Sequence, residues 1–159
     1  MATLVYLSLG SNMGNRAGHL QGAIARLKPC GPLTAVSSFY ETEPVEFTEQ
    51  PWFLNCAVAL ETSFAPEQLM AELLAIEKEM GRERSQKKGP RVIDIDLLLF
   101  GESTVNTSWL TIPHPAMAAR RFVLEPLAEI AREARHPVLG KTVRELLTEL
   151  PAGQVVKKV

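Results

Sequence analysis

Aspartate is nearly missing from this chain. Of its 18 acidic residues only Asp94 and Asp96 are aspartates; the rest are glutamates spread along the sequence. Cysteine is as sparse: Cys30 and Cys56 make no C-x-x-C or zinc-type spacing, and nothing demands an oxidising compartment. Cys56, inside the apolar run 54–60, reads as a small core residue. No apolar run approaches the roughly 20 residues of a membrane span, and the N-terminus lacks the charged start of a signal peptide. A cytoplasmic protein with no membrane partner is expected. A net charge of −1 removes any global pull toward nucleic acid. The P-loop pattern G-x-x-x-x-G-K-[ST] is absent, and Gly10-Ser11-Asn12-Met13-Gly14 is not G-x-G-x-x-G, so it reads as a tight turn in which Asn12 bonds locally or supports a site. Repeats, low-complexity tracts and linkers are missing too. With 46% hydrophobic and 22% charged residues, the 159 residues suit a single globular domain, 1–159.

What is present is concentrated. Asp94-Ile95-Asp96 lies in an otherwise apolar, branched run from Val92 to Phe100, which reads as a buried central strand. Residues i and i+2 of a strand share a face, about 7 Å apart. Two such carboxylates repel each other and lose hydration unless cations replace the water. Short, rigid aspartates suit a fixed oxygen site for a hard ion such as Mg²⁺. A plainer reading stays open at this point: an edge strand whose aspartates face solvent.

Arg82, Arg84, Lys87, Lys88 and Arg91 lie immediately upstream, punctuated by Gly81, Gly89 and Pro90, which marks a mobile loop. Cations beside paired carboxylates match a polyphosphate ester, whose oxygens are bridged by metal and neutralised by Arg and Lys. A solvated basic loop is the alternative. The charge is local, which suits a small anionic ligand. Of the histidines, His19 and His136 read as surface residues. His114, held between Pro113 and Pro115 and followed by Arg120 and Arg121, could meet a phosphate.

Periodicity orders the chain. Residues 3–9 and 33–42 read as strands, as does 53–62. Helices are expected at 16–27 and from Pro66, with Leu69, Leu73, Ile76 and Met80 facing a core until the stop at Gly81. The tail reads as loops and short helices, the last (143–150) opened by a Thr142-x-x-Glu145 capping box. The order β-α-β-β-α-β over the first hundred residues predicts an α+β, ferredoxin-like core: an antiparallel sheet with helices on one face.

Lys87-x-Gly89-Pro90-Arg91-x-x-Asp94-Ile95-Asp96-Leu97-Leu98 resembles the signature of the 6-hydroxymethyl-7,8-dihydropterin pyrophosphokinase family of folate biosynthesis. Gly10-Ser11-Asn12, Ser37 to Pro44, Phe53-Leu54-Asn55 and Pro113-His114 stand in the family's order and spacing. The resemblance implies that the pterin's hydroxymethyl oxygen attacks the β-phosphorus of Mg²⁺-ATP, moving a pyrophosphoryl group and releasing AMP. It implies that Asp94 and Asp96 hold two Mg²⁺ ions. Arg82, Arg84, Arg91, His114 and Arg120 match phosphate contacts, with Arg82 and Arg91 counted as catalytic, and Glu77 matches a nucleotide-side position. Leu97 would line the adenine pocket. Phe53 and Phe122 would sandwich the pterin, Asn55 would read its edge, and the Thr42 and Val45 backbones would complete that recognition. Apart from the resemblance, the two Phe residues and Asn55 read as core packing and a satisfied strand edge. Some members carry a longer loop with an Arg-Trp pair; this chain has Lys87-Lys88, is one residue shorter there, and has Trp109 at a basic position of the family.

Two other classes use the same residues. A Mg²⁺-dependent phosphohydrolase would need a base for water, and would release phosphate without a pterin. A non-catalytic nucleotide- or RNA-binding module would leave the Asp pair without purpose, and no aromatic motif of an RNA-binding sheet is present. The partners expected are ATP and a reduced pterin, with no nucleic acid, and a monomer.

Overall fold

A computed structural model describes residues 2–44, 49–81 and 91–159. In chain order its elements are β1 (Thr3–Ser11), α1 (Arg16–Arg26), β2 (Leu33–Val36), β3 (Tyr40–Thr42), β4 (Phe53–Thr62), α2 (Pro66–Glu79), β5 (Asp94–Phe100), β6 (Val105–Asn106), β7 (Thr111–Ile112), α3 (Arg121–Ala131), α4 (Val143–Glu149) and β8 (Val156–Lys158). The main sheet runs β5-β1-β4-β3-β8, with β2 also on β4, and its pairs are antiparallel. The first hundred residues thus form the ferredoxin-like core that the element order predicts.

Side chains alternate across a strand, so each strand contributes to two faces. Val5, Leu7 and Leu9 of β1, Leu54, Cys56, Val58 and Leu60 of β4, and Ile95 and Leu97 of β5 point to one face. There they meet Leu20 and Ala23 of α1 and Leu69, Leu73 and Ile76 of α2. Helix α1 starts where Asn15 accepts a hydrogen bond from the Gly18 N–H, and α2 starts at Pro66, whose missing N–H costs nothing at that position. This face is closed and dry.

The C-terminal extension covers part of the opposite face. Val123, Leu124 and Leu127 of α3 and Val143 and Leu146 of α4 pack with Ala57, Leu98 and Leu99. The Thr142–Glu145 capping box forms as its spacing predicts. Glu129 fastens α3 to the sheet by accepting bonds from the Tyr40 hydroxyl (2.6 Å) and the Ser38 N–H (2.8 Å). The extension covers one end of this face, and among the described residues the other end opens into a cavity that Phe122 and Gln154 of the extension also line.

Three features differ from expectation. The strand expected over 33–42 is two strands, because Ser37 interrupts the ladder: its Oγ accepts the Ala57 N–H at 2.8 Å, where a carbonyl would stand, and donates to Ser38 O at 2.7 Å. Strand β5 is not central but the edge of the sheet. It is buried all the same, because α2 covers one side of it and the extension the other. His136 is not a surface residue; it is 7% exposed, and its Nδ1 accepts from the Val138 and Leu139 N–H groups, shaping the turn between α3 and α4. Among the described residues no helix is long and apolar enough to cross a membrane.

Candidate active site

The open end of the second face holds the site. Strand register lays Asp94 beside Gly10 of β1, Gly10 beside Asn55 of β4, and Asn55 beside Tyr40 of β3. Strands lie about 4.8 Å apart, so the acidic strand and Asn55 stand roughly 10 Å from one another across a floor of Gly10 and Ser8. Small residues are required there. A Cβ on Gly10 would come 2.5 Å from Asn55 Nδ2 and 3.5 Å from the Phe53 ring. The resulting cavity, about 140 Å³, has Asp94, Asp96 and Arg91 at one end and Phe53, Asn55, Thr42 and Phe122 at the other.

The Asn55 end can read a flat polar ring. Asn55 is 3% exposed. Its Oδ1 accepts from Thr42 Oγ1 at 2.6 Å and its Nδ2 donates to Leu9 O at 3.3 Å. Those bonds fix the amide's orientation and leave one donor and one acceptor for a ligand edge. Phe53 and Phe122 line the same cavity, and the Arg120 guanidinium lies 5.5 Å from the Phe122 ring centre. Val45 lies outside the described residues.

The acidic end places carboxylates beside cationic and N–H donor groups. Asp94 and Asp96 side chains are 22% and 27% exposed, facing the cavity and not bulk solvent. Arg91 Nη1 is 3.5 Å from Asp94 Oδ2, while Arg91 Nε is buried and has no acceptor among the described residues. A buried guanidinium N–H without an acceptor is costly, and a phosphate oxygen would relieve it. His114 Nδ1 accepts the Ala116 N–H at 3.1 Å, which assigns the ring proton to Nε2, 3.9 Å from Asp96 Oδ1. Burial first, and the nearby Arg120 second, hold its pKa down at about 4 against the pull of Asp94. His114 is therefore a neutral N–H donor near pH 7. Among the described residues no three His, Cys, Asp or Glu side chains gather to hold a metal by themselves. Two adjacent carboxylates do fit Mg²⁺, which binds through one or two carboxylates and completes its octahedron with water and substrate phosphate.

A second hollow, about 330 Å³, adjoins the first and shares Asp96 with it. Leu97, His114, Met70 and Trp109 line it, and Trp109 is 51% exposed. Arg82 and Arg84 lie outside the described residues. Glu77 is not among the residues that line either hollow. It sits behind β5 on the dry face, 1% exposed, where its Oε2 accepts the N–H of Ile95 at 2.6 Å. Helix α2 packs against the face opposite the cavity.

Some residues of the site had little signal in sequence. Asn12, 1% exposed, joins three segments: its Oδ1 accepts the Arg91 N–H at 2.7 Å, and its Nδ2 donates to Gln50 Oε1 at 2.8 Å and Pro51 O at 3.1 Å. An Asn in a tight turn after a strand hinted at support, but not at these partners. Arg16 works nearby, pairing with Glu41 at 2.8 Å and donating to Trp52 O at 3.0 Å. Gln50 and Gln154 line the cavity as isolated polar residues, a class that carries no periodicity.

Residues 6–132 match the model of the 7,8-dihydro-6-hydroxymethylpterin-pyrophosphokinase family. The chain is similar to the 2-amino-4-hydroxy-6-hydroxymethyldihydropteridine pyrophosphokinase of Methylorubrum extorquens, 45% identical over 154 residues, covering 95% of this chain and 96% of that protein. The Bacillus subtilis protein of the same name is 44% identical over 135 residues, covering 84% of this chain and 81% of that protein. A folic acid synthesis protein of Pneumocystis carinii is 44% identical over 140 residues; the match covers 87% of this chain but only 19% of that longer protein. Among solved structures, a wild-type HPPK-DHPS chain of Plasmodium falciparum superposes with a TM-score of 0.77 at 17% identity, covering 94% of this chain and 44% of that one, a likeness of fold.

Proposed function

The chain belongs to the 7,8-dihydro-6-hydroxymethylpterin-pyrophosphokinase family, and on that premise we propose how its own residues move the pyrophosphoryl group of ATP to the hydroxymethyl oxygen of 6-hydroxymethyl-7,8-dihydropterin, releasing AMP for folate biosynthesis. The observation that carries this reading is one cavity with two unlike ends. A carboxylate pair and an arginine whose buried Nε has no acceptor among the described residues lie at one end, and two aromatic rings with a half-used amide at the other.

Phe53 and Phe122 hold the pterin between their faces, and Asn55 reads its polar edge, with the Thr42 and Val45 backbones beside it. That pose aims the hydroxymethyl group along the floor of Ser8 and Gly10 toward the aspartates. Asp94 and Asp96 would hold two Mg²⁺ ions. Bound there with ATP, the metal supplies neutralisation of phosphate charge and alignment of the reacting oxygens. Arg91 and Arg120 take further charge from the triphosphate, a role given also to Arg82 and Arg84, and His114 donates a neutral N–H to a phosphate oxygen. Leu97 packs against the base in the adjoining hollow. Arg91 exchanges its contact with Asp94 for a phosphate oxygen, so the Asp94 carboxylate is released for metal as the arginine engages the anion. Nothing in this scheme needs a covalent nucleophile, since phosphoryl transfer is largely positioning and electrostatics. The protein acts as a monomeric single domain in the cytoplasm.

The test is direct. Mixed with Mg²⁺-ATP and the hydroxymethyl dihydropterin, the protein forms AMP and the pterin pyrophosphate in equal amounts. Phosphate release in the absence of pterin would replace the transferase with a hydrolase. A failure of both reactions, with salt-dependent RNA binding instead, would leave a binding module.

A further inference from the structure

Gln154 lies beyond residue 132, where the family match ends, and in the extension that sequence reads as loops and short helices. Its side chain nevertheless lines the cavity. Oε1 of Gln154 accepts the backbone N–H of Phe122 at 3.2 Å, and Nε2 donates to the backbone carbonyl of Glu43 at 2.7 Å. No other assignment of the amide works, because a flip would set its NH₂ against an N–H and its oxygen against a carbonyl. Phe122 stands in the first turn of α3, where backbone N–H groups have no partner inside the helix. Arg120, the residue before the helix, makes no side-chain cap. Gln154 therefore supplies from 32 residues away what a local cap would have supplied.

The two groups it joins belong to two segments, distant in sequence, that line one cleft. Phe122 is one ring of the proposed sandwich, and Glu43 follows Thr42 in the segment that faces the ring's edge. The same stretch of tail is bound to that segment twice more: the Val155 N–H donates to Glu43 Oε1 at 2.7 Å, and the Glu43 N–H donates to Val155 O at 3.1 Å. Strand β8 then pairs with β3, placing Val156 opposite Thr42. An amide is planar and rigid, so a bond from each of its ends fixes the distance between the walls that it bridges.

We propose that Gln154 is a positioning residue that sets the width of the pterin cleft, making the C-terminal segment part of substrate recognition. The inference rests on the proposed function, since it assumes that the ring between Phe53 and Phe122 is the pterin. It concerns geometry and not contact with the reacting atoms: the backbone at Phe122 and Glu43 is held before the substrate arrives, so less ordering remains to be done on binding.

Calorimetry on the full-length protein tests it, with the hydroxymethyl dihydropterin as one titrant and a non-hydrolysable ATP analogue plus Mg²⁺ as the other. Wild-type protein that fails to bind the pterin would refute the functional reading itself, before any variant is compared. Gln154→Leu keeps the bulk and removes both bonds; it weakens pterin binding roughly tenfold while ATP affinity stays within about twofold. Gln154→Glu keeps an acceptor for the Phe122 N–H but faces the Glu43 carbonyl with a carboxylate, and weakens the pterin to a similar or lesser degree with ATP again unaffected. If the leucine variant does not fold, the glutamate variant decides alone. Pterin affinity unchanged in the folded variants, or pterin and ATP weakened by the same factor, overturns the proposal and leaves Gln154 as a staple of the tail.

Discussion

The two faces of the sheet are made by alternate residues of the same three strands, and they are built to opposite rules. On the α1/α2 face, Val5, Leu7, Leu9, Leu60 and Ile93 are fully buried, and Glu77 is the one buried charge among the described residues. One position along, Ser8, Gly10, Asn55, Asp94 and Asp96 turn polar or small groups into a cavity. A face that is closed everywhere gains apolar burial at every position, at about 25 cal/mol per Å². The other face gives up that gain over its open end and places like charges side by side, an arrangement that is unfavourable without a ligand. The comparison teaches where the cost of function is borne: the dry face supplies stability that the wet face spends on a preorganised site.

The sharpest way to break the comparison is at the aspartates. Asp94→Asn and Asp96→Asn each lower turnover by roughly a thousandfold or more, equivalent to about 4 kcal/mol of transition-state stabilisation. The unfolding midpoint stays the same or rises in each, because like-charge repulsion is relieved. Near-normal turnover of either variant at moderate Mg²⁺ would remove the metal from that residue.

Leu7→Ala makes the reverse cut. The residue lies between Tyr6 and Ser8 on the dry side with no exposure, and loss of its side chain leaves a cavity that costs about 2–5 kcal/mol of stability. Denaturant unfolding measures that loss, while the ratio of pterin to ATP affinity in the folded fraction stays at the wild-type value. A change in that ratio would mean that the two faces are coupled through the strands.

Within the wet face, Phe122→Ala separates the ends of the cavity. An aromatic pair adds about 0.5–1.5 kcal/mol beyond area burial, so pterin binding weakens by more than that once the lost apolar contact is included. Binding of the ATP analogue changes little, although Arg120 loses its ring partner. Calorimetry in which ATP falls and pterin holds would reverse the map of the site.

Local patterns in the sequence were enough for most of the dry face. Strand β4 runs from Phe53 to Thr62 as its apolar pattern predicts, α2 begins at Pro66, and the Thr142–Glu145 capping box forms. Each of those signals acts over a few residues. The misreadings involve partners distant in sequence. Nothing in 92–100 says whether one or two strands flank it, so the edge position of β5 was not legible. Ser37 breaks its strand because of what Ala57 offers it. Asp94, Asp96 and Arg91 were legible because their charge and spacing are unusual by themselves. Asn12 and Gln154 act through backbone groups 32 to 111 positions away, and an isolated amide in a sequence does not reveal such partners.

The smallest effect concerns how each layer responds to acid. The extension over the second face contains His136, buried in the turn between α3 and α4. Burial lowers the pKa of His136 below its ordinary value, because the charged ring would lose hydration where it sits. The folded pKa therefore lies below the unfolded one. Above about pH 6.5 the ring is neutral in both states and no stability is lost. As pH falls from there through the lowered folded value, the unfolded chain takes up a proton that the folded chain refuses, and stability declines. His114, held at about 4, adds to the decline over the same interval. His136→Asn removes one of the two titrations, so stability plotted against pH becomes flatter below 6.5, by at most about 1.4 kcal/mol per pH unit. Denaturant melts at intervals between pH 4 and 7 measure the slope. At pH 7.5 the variant binds pterin and ATP as the wild type does, since the turn at 136–139 lies outside both hollows. A slope equal to that of the wild type would show that His136 protonates as readily folded as unfolded, and that acid reaches the fold by another group.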